Sequence, residues 1–341
     1  MSDRQTIEPK TIVVALGGNA ILRPGQRGMA EEQSANVEQT CRQIAQMIKA
    51  GYRVVITHGN GPQVGSLLIQ NAAGQALVPS LPMDICGAES QGQIGYMMQQ
   101  SLQNQLKDLR MATPVVSLVT QTVVDASDPA FAKPTKPVGP FYTEAEARAA
   151  MAEKGEVWTE DAGRGWRKVV PSPNPLRIVE QPAIRALVEA GMIVISTGGG
   201  GIPVIDDGGH YRGVEAVIDK DLGGARLALD VKADVFMILT DVSKVALNYR
   251  TPQQVNVDRM TLSELGRYQT EGHFKAGSMG PKVEAARRFV AGGGHVAIIA
   301  SLAEALEALT GRAGTRIVGD EGAPRAGGDG TATTETAAVG R

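Results

Sequence analysis

The sequence predicts an α/β protein built as a three-layer αβα sandwich around an open, mainly parallel sheet. Two observations predict this fold. Short runs of apolar, mostly β-branched residues alternate along the chain with segments whose apolar residues recur at helical spacing. Strands that alternate with helices favour a parallel sheet, because the helices make the crossovers and cover both of its faces.

The predicted elements follow one another from residue 11 onward. The run TIVVAL at 11–16 is continuously apolar, as strands buried on both faces are. Residues 31–50 carry one apolar stripe at helical spacing, and Gly51 follows where a helix should end. The strand YRVVIT at 52–57 comes next. Further along, predicted helices at 87–108, 181–190, 219–232 and 281–291 lead into predicted strands at 114–120, 192–197, 235–240 and 295–301.

The composition is that of a globular protein with room for one large or two medium domains: 341 residues, 43% hydrophobic and 21% charged. A net charge of −2 gives no basic surface of the kind that nucleic-acid-binding proteins carry. No apolar run reaches the length of a membrane span, and the polar start lacks a secretory signal pattern. Cys41 and Cys86 offer no disulfide framework and suit a reducing compartment. We therefore expect a cytoplasmic protein without a nucleic-acid or membrane partner.

Segment 125–176 interrupts the alternation and is too long for an ordinary connection. It is rich in proline, holds both tryptophans, Trp158 and Trp166, and contains a charged helical stretch at 143–155. We interpret it as an inserted subdomain that projects from the sheet and acts as a lid. A disordered linker is the alternative, and the large apolar residues of the segment argue against it. The final residues, 319–341, are rich in Gly, Ala and Thr, which predicts disorder.

Three glycine-rich turns each follow a predicted strand, and they are the most informative motif of the chain. Glycine lets the backbone approach a ligand closely and presents consecutive N–H groups to a negative charge. Three such turns at strand ends predict a binding site for anions, with phosphate the leading candidate. The turns are Gly17-Gly18-Asn19, Gly59-Asn60-Gly61-Pro62 and Gly198-Gly199-Gly200-Gly201.

Two lysines stand in contexts that favour function. Lys220 lies between two carboxylates in VIDKD, and Lys282 follows the glycine turn GSMGP, whose Pro281 is expected at the first helical position. Phosphoryl transfer needs positive charge around the moving group and in-line placement of donor and acceptor, which such lysines and glycine amides supply. The alternative is that both lysines form solvated surface salt bridges.

Other familiar motifs fit poorly. Neither a Walker A sequence nor a convincing dinucleotide fingerprint is present, and no His/Cys cluster has metal-ligand spacing. His58 precedes a glycine turn and is interpreted as a structural hydrogen-bonding group rather than a base. The glutamines of 87–108 are interpreted as a polar helix face at a subunit contact.

Eight sequence blocks resemble the carbamate kinases, within the amino acid kinase superfamily, and together they cover residues 11–318. The position two residues before the first Gly-Gly is Ala15, as in carbamate kinases, where most amino acid kinases have a lysine. The insertion at 125–176 is similar to their protruding subdomain. The blocks are ALGGNA (15–20), THGNGPQVG (57–65), PMDICGAESQGQIGYMMQQ (82–100), PTKPVGPFYT (134–143), STGGGGIPV (196–204), GVEAVIDKD (213–221), LTDV (239–242) and GSMGPKVEAA (277–286).

The resemblance implies reversible phosphoryl transfer between ATP and carbamate with Mg²⁺, in a homodimer, typically making ATP from carbamoyl phosphate during arginine breakdown. It also implies that 11–204, including the insertion, binds the acceptor and that 205–318 binds the nucleotide, after an N-terminal extension at 1–10. Mg²⁺ would be held mainly by phosphate oxygens and waters rather than by protein ligands.

The same resemblance assigns roles to residues by position. The charged residues that would perform or organise the transfer are Lys220, Lys282, Asp221 and Lys136, the last standing in for the lysine missing at Ala15. The expected phosphate and acceptor residues are Gly17, Gly18, Asn19, Gly59, Asn60, Gly61, Gly199 and Gly200. Those expected near the nucleotide are Thr240, Asp241, Val242, Tyr249, Met279 and Gly280.

Three rival interpretations stay open at this stage. One is another kinase of the same fold that phosphorylates glutamate, acetylglutamate or a nucleotide, against which Ala15 and the insertion argue. A second is a non-catalytic nucleotide-binding regulator, against which the complete set of charged residues argues. A third is an enzyme of the same chemistry that works in the synthetic direction.

Overall fold

The computed structural model describes residues 10–161, 163–275 and 278–320. Residues 1–9 and 321–341, which include most of the predicted extension and tail, lie outside the described residues. The strands are β1 (Thr11–Leu16), β2 (Arg53–His58), β3 (Val115–Ser117), β4 (Gln121–Val123), β5 (Lys136–Tyr142), β6 (Trp158–Glu160), β7 (Trp166–Val170), β8 (Arg177–Ile178), β9 (Ile193–Ile195), β10 (Ile202–Asp207), β11 (His210–Gly213), β12 (Val235–Thr240), β13 (Val245–Leu247), β14 (Val255–Val257), β15 (Arg259–Thr261), β16 (Val296–Ser301) and β17 (Thr315–Val318).

Helices of very different length connect these strands. Three short 3₁₀ turns, at Gly18–Ala20, Gly198–Gly200 and Leu302–Glu304, follow β1, β9 and β16. The α-helices are α1 (Ala30–Lys49), α2 (Gly61–Gly74), α3 (Met83–Asp108), α4 (Pro129–Ala132), α5 (Glu144–Lys154), α6 (Gln181–Glu189), α7 (Lys220–Asp230), α8 (Leu262–Thr270), α9 (Met279–Ala291) and α10 (Ala305–Leu309).

The main sheet has eight strands in the order β15-β17-β16-β12-β1-β2-β9-β3. Every pairing in it is parallel except that of β16 with β17. In the register, Leu16 at the end of β1 stands between His58 of β2 and Leu239 of β12. The segments that follow these three strands therefore leave the sheet at the same edge, where ligands bind in open α/β sheets.

Two apolar layers cover the faces of this sheet. Ile12, Val14 and Leu16 of β1 point into a cluster with α1 and α3, while Val13 and Ala15 point into a second cluster with α6, α7 and α9. This alternation follows from the two-residue period of a strand, and it explains why the run 11–16 is apolar throughout. The predicted αβα sandwich is confirmed.

The insertion forms a small sheet of its own, in the order β5-β7-β6, flanked by α5. Helix α5 begins with a capping box in which Thr143 and Glu146 satisfy each other's backbone N–H groups. The root of the insertion packs against the body, because Val138 and Val170 share an apolar cluster with Met83 of α3. The division of the chain into an acceptor lobe and a nucleotide lobe stays a prediction.

Several elements differ from the sequence expectation. Helix α2 begins at Gly61, directly inside the second glycine turn, and α3 begins at Met83 rather than near residue 87. The predicted strand 114–120 is shorter, Val115–Ser117. Pro281 is the third residue of α9, not the first. A proline fits there because the first turn of a helix has no partners for its N–H groups.

Candidate active site

Two cavities lie at the carboxyl edge of the main sheet. The larger has a volume of about 740 Å³. Among the residues with predicted roles, those that line it are Gly17, Gly18, Asn19, Lys220, Thr240, Asp241, Val242, Tyr249, Met279 and Lys282. The smaller has a volume of about 130 Å³. The residues with predicted roles that line it are Asn60, Gly61, Gly199 and Lys136.

The remaining four predicted residues lie behind the cavity walls. Asp221 is 2% exposed and lies beneath the two lysines. Gly59 packs on the stem of Lys220, Gly200 packs on Ile218, and Gly280 donates its backbone N–H to the carbonyl of Lys275. The site residues thus fall into a nucleotide-sized cavity, a smaller cavity, and a set of supporting groups.

A lysine pair held by one carboxylate is the electrostatic centre of the site. Lys220 Nζ lies 2.6 Å from Asp221 Oδ1, and Lys282 Nζ lies 3.2 Å from Asp221 Oδ2. The two lysines come from the first turns of α7 and α9, so the carboxylate joins two helices that are distant in sequence. Both lysine side chains are about one-fifth exposed or less, which leaves each ammonium a face toward the larger cavity.

The charge state of this centre follows from the pairing. Burial alone would raise the pKa of Asp221, but the charges of Lys220 and Lys282 and their hydrogen bonds outweigh burial and lower it. The carboxylate is therefore ionised at neutral pH. The unit carries a net positive charge next to the glycine amides of residues 17 and 18.

Asp219, one residue before α7, joins the insertion to this centre. Its Oδ1 caps the helix by accepting from the N–H groups of Asp221 and Leu222, at 3.0 and 3.4 Å. Its Oδ2 accepts from Lys136 Nζ at 3.0 Å. Lys136, from β5, is thus joined to the start of α7, and its partner Asp219 was not identified from the sequence. The role of Lys136 in the transfer stays a prediction.

The first two glycine turns pack closely around Lys220. A Cβ added to Gly59 would lie 3.1 Å from Cδ of Lys220 and 3.5 Å from the backbone nitrogen of Gly18. Contacts below 3.4 Å are tighter than side chains normally tolerate, so the absence of a side chain at residue 59 sets the position of the lysine stem. Gly17 donates its N–H to the carbonyl of Leu239, which fixes the turn against β12.

The third glycine turn needs its glycines for conformation as well as for space. Gly199 has a φ of 67°, and a Cβ there would lie 2.2 Å from the side-chain nitrogen of Asn60. Thr197, just before the turn, has a φ of 54°, which is costly for a β-branched residue. Hydrogen bonds hold it there, because Thr57 Oγ1 donates to its carbonyl and its N–H donates to Thr120 Oγ1.

Gln91 of α3 is a supporting residue that the sequence interpretation missed. Its side chain is buried, and its Nε2 donates to the carbonyls of Gly198 and Thr120, at 2.9 and 3.2 Å. The interpretation of all the helix glutamines as an outer polar face is therefore wrong for this one. Gln91 precedes Ile94 by three residues and Met98 by seven, so it lies on the apolar stripe of the helix. This spacing was the sequence signal that its side chain is buried.

Arg167 of β7 is a second missed residue, and it lines the smaller cavity opposite the glycine turn. Its Nε and Nη2 donate to the carbonyl of Gly139, at 3.2 and 3.0 Å, and its Cζ lies 5.3 Å from the centre of the Phe141 ring. These contacts fix a guanidinium at the wall of the cavity that Lys136 also lines. Nothing near residue 167 in the sequence marked it as functional.

His58 ends β2 and is 2% exposed. Burial lowers its pKa to about 4, a hydrogen bond with Gly59 opposes that shift, and the charge of Lys220 adds to it. Nδ1 lies 3.0 Å from the carbonyl oxygen of Gly59, so the neutral ring carries its proton on Nδ1. The histidine supports the second turn, as the sequence interpretation expected.

Thr240, at the end of β12, and Tyr249 line another part of the larger cavity. Thr240 Oγ1 donates to Asp241 Oδ1 at 3.0 Å, just where β12 ends. Tyr249 is 44% exposed, and the centre of its ring lies 5.3 Å from Cζ of Arg250. Within residues 10–161, 163–275 and 278–320, no group of three or more His, Cys, Asp or Glu residues could hold a metal ion. No helix in the same ranges is long and apolar enough to cross a membrane.

The fold and the lysine centre define a protein of the amino acid kinase class, and the model of the amino acid kinase family matches residues 10–301. A carbamate kinase from Thermococcus kodakarensis is 58% identical over 91% of this chain and 99% of its own length. The solved structure of carbamate kinase from Giardia lamblia bound to AMP-PNP superposes with a TM-score of 0.88 at 48% identity, covering 92% of this chain and 99% of that one. The chain belongs to the carbamate kinases of the amino acid kinase family.

Proposed function

We propose that this protein catalyses reversible phosphoryl transfer between ATP and carbamate. The observation that carries the proposal is the Lys220–Asp221–Lys282 centre, which stands beside glycine amides at the edge of a nucleotide-sized cavity. The name and near full-length identity of the Thermococcus kodakarensis relative support it. In the direction that makes ATP, the products are ATP and carbamate, and carbamate then breaks down to ammonia and CO₂.

The nucleotide occupies the larger cavity in this proposal. Thr240, Asp241 and Val242 face the adenosine from the end of β12, with Tyr249 beside them, while Met279 and Gly280 at the start of α9 lie near the phosphates. The Giardia lamblia enzyme is bound to AMP-PNP, a nucleotide analogue, which supports a nucleotide site in this fold.

The transfer itself uses position and charge rather than covalent chemistry of the protein. The bond between phosphorus and the carbamate oxygen breaks as a β-phosphate oxygen of ADP forms a new bond to phosphorus on the opposite side. Negative charge spreads over the equatorial phosphoryl oxygens during this step. Lys220 and Lys282 neutralise it, and the N–H groups of Gly17 and Gly18, with Asn19, donate to the same oxygens.

The small acceptor occupies the smaller cavity. Asn60 and Gly61 hold it from one side, with Gly59 supporting their turn from behind, and Gly199 lines the other side, with Gly200 behind it. Lys136 supplies a positive charge from the insertion, in place of the lysine that other members of the superfamily carry at the position of Ala15. Carbamate has few groups to recognise, so the rate depends on its placement more than on binding energy.

Mg²⁺ enters this proposal with the nucleotide. Both carboxylate oxygens of Asp221 are already occupied by lysines, so this residue is not free as a ligand. A cation held by phosphate oxygens and waters fits such a site, because Mg²⁺ dehydrates reluctantly. When bound, it neutralises part of the nucleotide's phosphate charge.

The physiological setting is also part of the proposal. Breakdown of carbamate to ammonia and CO₂ favours ATP formation, which suits a catabolic enzyme of arginine degradation. The two free cysteines, Cys41 and Cys86, are both buried, and they suit the reducing cytoplasm.

We propose a homodimer on the basis of one apolar surface. Leu77, Val78 and Leu81 between α2 and α3 are 89%, 63% and 43% exposed, and Ile85 and Tyr96 of α3 are 42% and 64% exposed. Large apolar residues exposed in one stretch of the chain favour an interaction site there, and β3, which packs against α3, is an edge strand of the main sheet. Light scattering of the purified protein measures the mass directly, and a monomer at micromolar concentration would contradict this proposal.

The decisive experiment mixes the purified protein with carbamoyl phosphate, ADP and Mg²⁺ and follows ATP. Rapid ATP formation is the expected result. No ATP, with ADP still bound, would overturn the proposal. A panel of glutamate, acetylglutamate and UMP with ATP would then separate another kinase of this fold from a nucleotide-binding regulator, which phosphorylates none of them.

A further inference from the structure

Asp219 uses its two carboxylate oxygens for different purposes. Oδ1 accepts from two backbone N–H groups at the start of α7, and Oδ2 accepts from Lys136 Nζ at 3.0 Å. The aspartate side chain is 16% exposed and the lysine side chain 38% exposed. One carboxylate thus connects the helix that begins with Lys220 to a strand of the insertion.

Two further links run between the insertion and the same segment before α7. Lys168 Nζ lies 2.5 Å from Glu215 Oε1, and the N–H of Val217 donates to the carbonyl of Pro171 at 2.9 Å. Lys136 and Lys168 belong to β5 and β7, which pair antiparallel, with Lys136 opposite Val170 and Lys168 opposite Val138. The insertion therefore docks along residues 215–219, and the Lys136–Asp219 pair is the link nearest to Lys220.

We propose that Asp219 is a positioning residue for the transfer, acting by holding Lys136 at the start of α7. The inference rests on the proposed function and deepens it. An ammonium has three N–H donors, and Asp219 uses one, so two remain for an anion in the smaller cavity. A lysine on a flexible four-carbon stem loses rotamer freedom when it binds an anion, and an ion pair made beforehand reduces that loss.

The two roles of Asp219 can be separated by substitution. Asparagine and serine cap helices about as well as aspartate, because their side-chain oxygens also accept backbone N–H bonds. Neither carries the charge that holds Lys136. Asp219→Asn therefore keeps the support of α7 and removes the ion pair, and Asp219→Ser does the same if the first variant fails to fold.

The test is a double-mutant cycle of Asp219→Asn and Lys136→Met, with steady-state constants measured for ADP and for carbamoyl phosphate. We expect each single variant to lower kcat/KM for carbamoyl phosphate by about a hundredfold, the loss seen when a catalytic group is misplaced by about 1 Å. The KM for ADP should change less than about twofold, because the ion pair lies on the acceptor side. Adding Asp219→Asn to Lys136→Met should change the activity by less than about twofold if Asp219 acts through Lys136.

Asp128→Asn is the matched control. Asp128 also caps a helix through one oxygen, accepting from Ala130 at 2.9 Å, and its other oxygen accepts from the backbone and side-chain N–H groups of Asn174. Among the residues that the structure describes, no lysine pairs with it. This variant should keep the wild-type constants.

The outcomes separate this inference from the proposed function. One contrary result is that Asp219→Asn lowers kcat/KM for carbamoyl phosphate by the same factor in the Lys136→Met background as in the wild type. That result would show that Asp219 acts through α7 and not through Lys136, and it would overturn the inference. Unchanged kinetics in Asp219→Asn would overturn it as well. A wild-type protein that forms no ATP from carbamoyl phosphate and ADP would instead remove the proposed function itself.

Discussion

At the residue scale, one buried carboxylate, that of Asp221, holds the two positive charges of the site in place. Asp221 holds two ammonium groups at hydrogen-bond distance and is itself kept ionised by them. Each lysine donates to Asp221 and also lines the larger cavity, so the centre presents an oriented positive charge to that cavity. Preorganised charge of this kind contributes most where charge develops in the transition state.

Lys282→Ala should lower kcat by at least about a hundredfold and change KM little, because the missing charge acts mainly in the transition state. The measurement is ATP formation from carbamoyl phosphate and ADP over a range of both substrates. Lys49→Ala, at the exposed end of α1, removes a similar charge far from the site and serves as the control. A near-normal kcat in Lys282→Ala would remove this residue from the mechanism.

His58 should make the stability of the protein depend on pH. Its folded pKa is about 4, below the ordinary value of 6.5, so the unfolded chain binds more protons between these values. The free energy of unfolding should therefore rise with pH across this window, by a total of about 3 kcal/mol from this one group. The contribution is fully present above pH 6.5 and is lost as the pH falls toward 4.

Urea denaturation at several pH values tests this prediction. The wild-type curve should be steeper between pH 4 and 6.5 than that of His58→Gln, which has no titrating ring. Parallel curves for the two proteins would show that His58 does not titrate as its burial predicts.

At the element scale, the sequence predicts those strands and helices whose pattern lies within one continuous segment of the chain. The runs 11–16, 52–57 and 235–240 were recognisable as strands because both of their faces are buried. Helix α2 was missed because its first residues, Gly61 and Pro62, are typical of a turn, although the first turn of a helix also accepts them.

The supporting contacts of the site were harder to predict from sequence. Gln91 bonds to Gly198 across 107 residues, and Lys136 bonds to Asp219 across 83. Such pairs depend on how elements are brought together, and no local pattern encodes them. The glycine turns and Lys220 were visible because their chemistry lies within a few residues of a strand end.

Gly59→Ala tests how closely the second turn and α7 fit. The added Cβ would lie 3.1 Å from Cδ of Lys220, so the lysine stem must shift by a few tenths of an ångström, which changes the placement of its ammonium beside Asp221. We expect kcat to fall by about tenfold to a hundredfold, with a loss of about 1 kcal/mol in the free energy of unfolding. Gly266→Ala, a helical position of α8 with no atom within 4 Å of the added Cβ, is the control. Equal activity in both variants would mean that the turn adapts without disturbing Lys220.

At the scale of the whole molecule, the insertion is attached so that it can be removed without cutting the main sheet. Strands β4 and β8, which precede and follow it, pair antiparallel, with Thr122 opposite Ile178 and Val123 opposite Arg177. The chain therefore leaves and re-enters the body at adjacent points. Among the residues that the structure describes, none of the insertion lines the larger cavity.

Replacing residues 127–172 by a short Gly-Ser linker should therefore leave ADP binding in place and abolish transfer. The deletion removes Lys136 and Arg167 from the smaller cavity and opens that cavity to water, so we expect kcat/KM for carbamoyl phosphate to fall by more than about a hundredfold. Calorimetric titration with ADP shows whether the shortened protein still folds around its nucleotide site. Full transfer activity in the shortened protein would contradict a role of the insertion in closing the site. Loss of both activities would indicate that the packing of Val138 and Val170 on Met83 is needed for the fold of the body.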